Sequence, residues 1–156
     1  MHKKHNYKTT VEWTGNNGSG TDDAKNYERS HTISVEGKPT ILGSSDAPFR
    51  GDVTKHNPED FLVASLSSCH MLWYLHLCAD AGVIVTGYTD NATGTMVQTA
   101  NGGGYFEEVI LNPVVIVKEE SMIKLANELH HKAHELCFIA NSVNFKVSQN
   151  PVAKVG

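Results

Sequence analysis

Apolar and polar positions alternate near the start of the chain, at Tyr7, Thr9, Val11 and Trp13, and again at Tyr27, Arg29, His31, Ile33 and Val35. A period of two predicts two half-buried strands, and the glycine-rich GNNGSGT between them predicts a long connecting loop. Glu36-Gly37-Lys38-Pro39 reads as a turn, Thr40 to Gly43 as a short strand, and the polar stretch Ser44 to His56, with Pro48 and Gly51, as a loop. The period then changes. Asn57 suits a helix cap, Pro58 the first helical position, and Glu59 and Asp60 the positive end of the dipole. From Phe61 to Ala79 one stripe carries Leu62, Leu66, Cys69, Trp73 and Leu77, while Phe61, Met71, Leu72 and Leu75 make other faces apolar. Such a helix is expected to be buried on more than one side.

Gly82 ends that helix. Two strands follow, Val83 to Gln98 and Phe106 to Val117, joined by the turn NGGG, and Pro113 predicts a bulge or an edge in the second. Ser121 opens a second helix with Met122, Ala126, Leu129, Ala133 and Leu136 on one stripe, ending near Cys137; Val143, Phe145 and Val147 alternate as a last strand. The order predicts an α+β fold of mostly antiparallel strands with a buried central helix and a second helix. Neither a repeat nor a linker interrupts it, so residues 1–156 are expected to form a single domain.

Composition narrows the function classes. With 156 residues, 40% of them hydrophobic and 19% charged, the chain can bury a core without staples. Its net charge is -4 and its basic residues are scattered, so no nucleic-acid footprint is present. No stretch approaches about 18 uninterrupted apolar residues, and MHKKHNYKTT lacks the apolar core of a signal peptide. A cytoplasmic protein without nucleic-acid or membrane partners is expected. Three cysteines, Cys69, Cys78 and Cys137, are an odd number without C-x-x-C spacing, which argues against a secreted disulfide framework and a zinc ribbon.

Candidate chemistry therefore rests on thiols. A buried thiol is poorly ionised, and a reactive one needs a cation or a helix dipole beside it. Arginine occurs only at positions 29 and 50. Cys69 and Cys78 both suit the role of small core residues, whereas Cys137 lies at a helix end, where side chains meet loops. Residues 57–71, Asn-Pro-Glu-Asp-Phe-Leu-Val-Ala-Ser-Leu-Ser-Ser-Cys-His-Met, place a cysteine ten positions after the glutamate. This resembles the central-helix motif of the OsmC/Ohr family, the osmotically inducible and organic hydroperoxide resistance proteins. The segment Ala133 to Val143 is similar to the family's second-cysteine region, and the order of elements matches over nearly the whole chain.

The resemblance implies a thiol-dependent peroxidase that reduces organic hydroperoxides, needs no cofactor, and works as an intertwined homodimer. It makes Cys69 the peroxidatic thiol, Cys137 the resolving thiol, and Glu59 the anchor for an activating arginine. OsmC-like members match Arg50 for that arginine and Ohr-like members match Arg29; Arg50 is favoured. A dihydrolipoyl protein or a thioredoxin-type donor would be the reductant. Independently of the resemblance, ten residues of straight helix span about 15 Å, which keeps a pair at Glu59 away from Cys69 of the same helix and points to a second subunit. One alternative stays open: His130, His134 and Cys137 at i, i+4 and i+7 share a helix face, and with Cys69 they would make a four-ligand zinc site. The competing assignment leaves His130 and His131 facing solvent and His134 in a local hydrogen bond. His70 and His76 are assigned only packing and hydrogen bonding.

Overall fold

The computed structural model describes residues 3–156. The chain divides after Phe61 into two compact units. In the first, strands β1 (Thr10–Trp13), β2 (His31–Ser34) and β3 (Ile41–Gly43) form an antiparallel sheet in that order. The register aligns Val11, Ile33 and Ile41 in one cross-strand row. Two residues along, Trp13, His31 and Gly43 make the next row on the same face. These strands are shorter than the alternation predicts. The Arg29 side chain turns back to the carbonyls of Ala24 and Tyr27, 2.8 and 2.7 Å away, and organises the end of the loop ahead of β2.

Helix α1 (Pro58–Asp80) begins where its cap predicts. The Asn57 side chain accepts the N–H of Asp60 at 2.8 Å, and the Asp60 carboxylate accepts the N–H of Asn57 at 3.2 Å, a reciprocal cap that satisfies two orphan donors. Its end also follows the sequence. Gly82, at φ 73°, donates to Ala79 while Val83 donates to Cys78 at 2.8 Å, the paired bonds of a left-handed glycine stop.

The buried stripe of α1 differs from the expected one. Leu66, His70, Tyr74 and Cys78 are fully buried, Cys69, Trp73 and Leu77 only partly, and Leu72 is exposed. A spacing of four keeps one narrow row of side chains against the neighbouring elements. The four include a histidine and a tyrosine, which is why apolar counting displaced the stripe.

The second unit is built on a ladder that breaks at a corner. The predicted strand Val83 to Gln98 is two strands, β4 (Val85–Asp90) and β5 (Thr93–Gln98); Phe106 to Val117 is likewise β6 (Gly104–Leu111) and β7 (Pro113–Val117). After helix α2 (Ile123–Leu136) the chain adds β8 (Lys146–Gln149) and a strand that alternation did not predict, β9 (Val152–Val155). The sheets run β4-β7-β9 and β5-β6-β8, with antiparallel hairpins and parallel β6–β8 and β7–β9 pairs. Parallel pairing replaces the expected antiparallel pattern wherever α2 supplies the crossover.

Polar side chains fix the corner. The Asp90 carboxylate accepts the Asn112 N–H at 2.7 Å and the Ser67 hydroxyl of α1. Asn112 also donates to the Asn91 carbonyl, and the N–H of Asn150 reaches the Leu111 carbonyl at 2.8 Å. Pro113, expected at a bulge or an edge, opens the central strand β7 just past this corner. One core cluster gathers Tyr74, Cys78, Val83, Val115, Val117, Ala126 and Ala133, and another Leu66, Val109 and Leu111. Each fully buried valine or leucine contributes about 1.5–3 kcal/mol.

Candidate functional site

Cys69 projects from the middle of α1 and Cys137 closes the C-terminus of α2. The two elements are distant in sequence, yet the Cys69 and Cys137 thiols lie close enough to influence each other, and no disulfide joins them. Cys69 is half-buried and Cys137 fully buried. Burial, aided by the Cys69 thiol, pushes the Cys137 thiol up to about 11; backbone N–H groups of Ala140 and Ile139 oppose that shift. The Ala140 N–H lies 3.4 Å from the Cys137 sulfur. A turn at Ala140–Ser142 holds this donor in place, and the Asn141 side chain ties it to the Glu135 carbonyl at 2.9 Å.

An apolar surface adjoins the thiols. One turn beyond Cys69, Trp73 meets Phe138 edge to face, with ring centroids 5.6 Å apart. Phe138 is 68% exposed and Leu72 63% exposed, and Leu72, Trp73 and His76 line an open groove of about 230 Å³. Cys78 lies in the core stripe, where burial raises its pKa and leaves it unsuited to attack.

The two arginines have different environments within the first unit. Arg29 is engaged by two carbonyls and lies over the Tyr27 ring, its guanidinium carbon 4.2 Å from the centroid. Arg50 is exposed, and among the described residues its guanidinium has neither a hydrogen bond nor an ion pair. Its backbone is unusual, the one non-glycine residue with positive φ, at 64°, among those described. The tight turn Ala47–Phe49 before it is capped by Asp46, and Gly51 after it packs so closely that a Cβ would meet the Ser45 carbonyl oxygen at 1.5 Å. The loop thus presents Arg50 at a fixed place on its surface. Glu59 is half-buried in the first turn of α1, and no ion pair joins it to Arg50.

The zinc set does not assemble. Among the described residues no three His, Cys, Asp or Glu side chains gather as metal ligands. Rather than facing solvent or a metal, His130 is buried and its Nδ1 lies 2.9 Å from Nε2 of His70, equally buried on α1. The rings are parallel within 7° and meet edge to edge through this bond, and Tyr74 stacks on a face of His130 at 3.9 Å. Desolvation lowers His70 to about 4 and His130 to about 3, so both rings are neutral near pH 7. Packing and hydrogen bonding had been expected of His70, but not this partner. The available signal was its i+4 spacing from Leu66, and the place of His130 between the small residues Ala126 and Ala133.

Both the sequence and the fold have known relatives. The model of the OsmC-like protein family matches residues 51–150. An OsmC-like protein of unknown function from Vibrio cholerae O1 biovar eltor is 33% identical, with a TM-score of 0.84 over 96% of this chain and 100% of its own. Two more distant structures share the fold: an organic hydroperoxide resistance protein from Elizabethkingia anophelis with thiocyanate bound (18% identity, TM-score 0.70, 100% of both chains), and an organic hydroperoxide resistance protein OsmC from Legionella pneumophila (18%, TM-score 0.68, 97% and 100%). No curated protein matches the sequence significantly. With nearly two thirds of its length under the family model and the paired cysteines on two packed helices, the chain belongs to the OsmC-like family, the OsmC/Ohr proteins.

Proposed function

We propose that the protein is a cysteine-based peroxidase that reduces organic hydroperoxides to alcohols. The observation that carries this reading is the neighbouring pair of free thiols, Cys69 on α1 and Cys137 at the end of α2. The Cys69 thiolate attacks the distal oxygen of the hydroperoxide, the O–O bond breaks, and the alkoxide leaves with a proton as alcohol. Cys69 becomes a sulfenic acid. The Cys137 thiol then attacks that sulfur, its proton and the hydroxide leave as water, and a Cys69–Cys137 disulfide forms. A dithiol donor, a dihydrolipoyl protein or one of thioredoxin type, returns both thiols by exchange.

Arg50 is the proposed activating cation. It is never deprotonated, its guanidinium is free to face a partner, and Glu59 would orient it through a bidentate pair in the working assembly. Arg29, already bound by its own loop, is poorly placed for the task. The Trp73–Phe138 surface supports an alkyl-bearing substrate, since each buried methylene contributes about 0.8 kcal/mol. A homodimer follows from the same reading: Val11, Trp13 and Ile41 expose one face of the first sheet, and ten residues of α1 separate Glu59 from Cys69. A cytoplasmic setting, where free thiols persist, and a single OsmC-like domain over residues 1–156 complete it.

The test is Cys69→Ser. It should abolish consumption of cumene hydroperoxide, and turnover near that of the native protein would refute the assignment.

A further inference from the structure

The two thiols are carried on separate helices, so something must fix the rotation of one helix against the other. Two neighbouring rows of α1 meet α2 and the turn after it. Cys69 and Trp73 face Cys137 and Phe138, while His70 and Tyr74 face His130. Apolar contacts in the first row tolerate sliding, because dispersion has little directionality. The second row has a directional element. Among the described residues, His70 Nε2 to His130 Nδ1 is the one hydrogen bond between side chains of the two helices. It lies at the residue next to Cys69 and two helical turns before Cys137. Tyr74 stacks on the face of the same imidazole, and the Gln149 side chain donates to the His130 carbonyl at 3.2 Å.

A slip of α1 would break this bond and strand two buried nitrogens, each at a cost of about 1–3 kcal/mol. His70 Nδ1 and His130 Nε2 are already without partners, so the pair is retained at an energetic cost. A buried polar contact that costs stability but admits one alignment is a register device.

We infer that His70 and His130 are positioning residues that hold Cys69 against Cys137 and so favour disulfide closure. This rests on the pairing of Cys69 with Cys137 in the proposed function, but not on any reaction with peroxide. The appropriate readout is therefore the equilibrium with glutathione. Two protein thiols give two electrons and two protons to glutathione disulfide, yielding the Cys69–Cys137 bond and two molecules of glutathione.

The variants follow from hydrogen-bond accounting. Replacing both partners together, His70→Leu with His130→Leu, leaves neither one orphaned and should fold, as circular dichroism would show. Its equilibrium constant for disulfide formation should fall at least tenfold, which for a two-electron couple is about 30 mV. His130→Asn puts an amide near the Nδ1 position and should stay within threefold of the native constant. A folded double-leucine protein with the native constant overturns the inference, as does an asparagine variant that loses tenfold. Should the double variant not fold, the asparagine variant alone decides: retention supports the register role and loss ends it. A native protein that equilibrates normally with glutathione yet ignores alkyl hydroperoxides would end the peroxidase reading and leave this one standing.

Discussion

At residue scale a side chain's surroundings set its chemistry. Cys78 and Cys137 are both buried thiols, but only Cys137 has a second thiol and a backbone N–H at its sulfur. Cys137→Ser should consume about one equivalent of hydroperoxide and stop at a Cys69 sulfenic acid, seen as a dimedone adduct by mass spectrometry. Turnover with a dithiol donor in that variant would remove Cys137 from the cycle. The arginines offer a sharper contrast. Arg50 holds φ at 64°, which glycine adopts without strain. Arg50→Gly should therefore keep stability, or raise it by up to about 1 kcal/mol in urea titration, while slowing single-turnover oxidation at least tenfold. Arg29→Ala should do the reverse. Loss of two carbonyl bonds and a ring contact should cost about 1–2 kcal/mol with the oxidation rate unchanged.

At the scale of elements, α1 and α2 keep two neutral imidazoles in their shared core. His70 stands near His134 of α2 and Asp90 of β4, and His130 near His131; Tyr74 and Cys78 share the surrounding packing. Burial depresses both imidazoles from 6.5, to about 4 and about 3. An unfolded chain takes up these protons first, so the stability they confer is complete above pH 6.5 and is lost as pH falls toward the folded values. Each ring gives a slope of up to about 1.4 kcal/mol per pH unit. Urea titrations between pH 7 and pH 5 should show this fall, and the double-leucine variant should lack it. A flat native profile over that window would show that the rings are not buried neutral.

Which elements were readable in the sequence follows from where their determinants lie. The start and stop of α1 are local, written in Asn57, Pro58, Asp60 and Gly82, and were legible. The corner that divides two long strands into four depends on Asp90 meeting Asn112 and Ser67, residues that only the fold brings together. Strands β8 and β9 pair in parallel with strands on the far side of α2, and β9, Val-Ala-Lys-Val, is too short and lacks the apolar–polar alternation that would announce it. Hydrogen bonding was expected of His70, but its partner was not legible because it lies 60 residues away. Cys69 and Cys137 were singled out through the family resemblance, since the residues alone suit Cys69 to a small core position; that the two lie side by side belongs to the packing of α1 against α2.

At the scale of the whole molecule, the first unit leaves Val11, Trp13, Ile41 and Leu42 substantially exposed, and a three-stranded sheet with so little cover is marginal alone. Sedimentation equilibrium should find a dimer at micromolar concentration, and a stable 17 kDa monomer would contradict the assembly proposed for the site. The central claim is that Cys69 and Cys137 form one redox couple driven by organic hydroperoxide. Its most direct test is a thiol count on the reduced protein before and after one equivalent of cumene hydroperoxide, with peptide mapping of the product. The account predicts loss of two thiols per chain, a Cys69–Cys137 disulfide, and Cys78 still free; three thiols remaining, or a disulfide that includes Cys78, would contradict it.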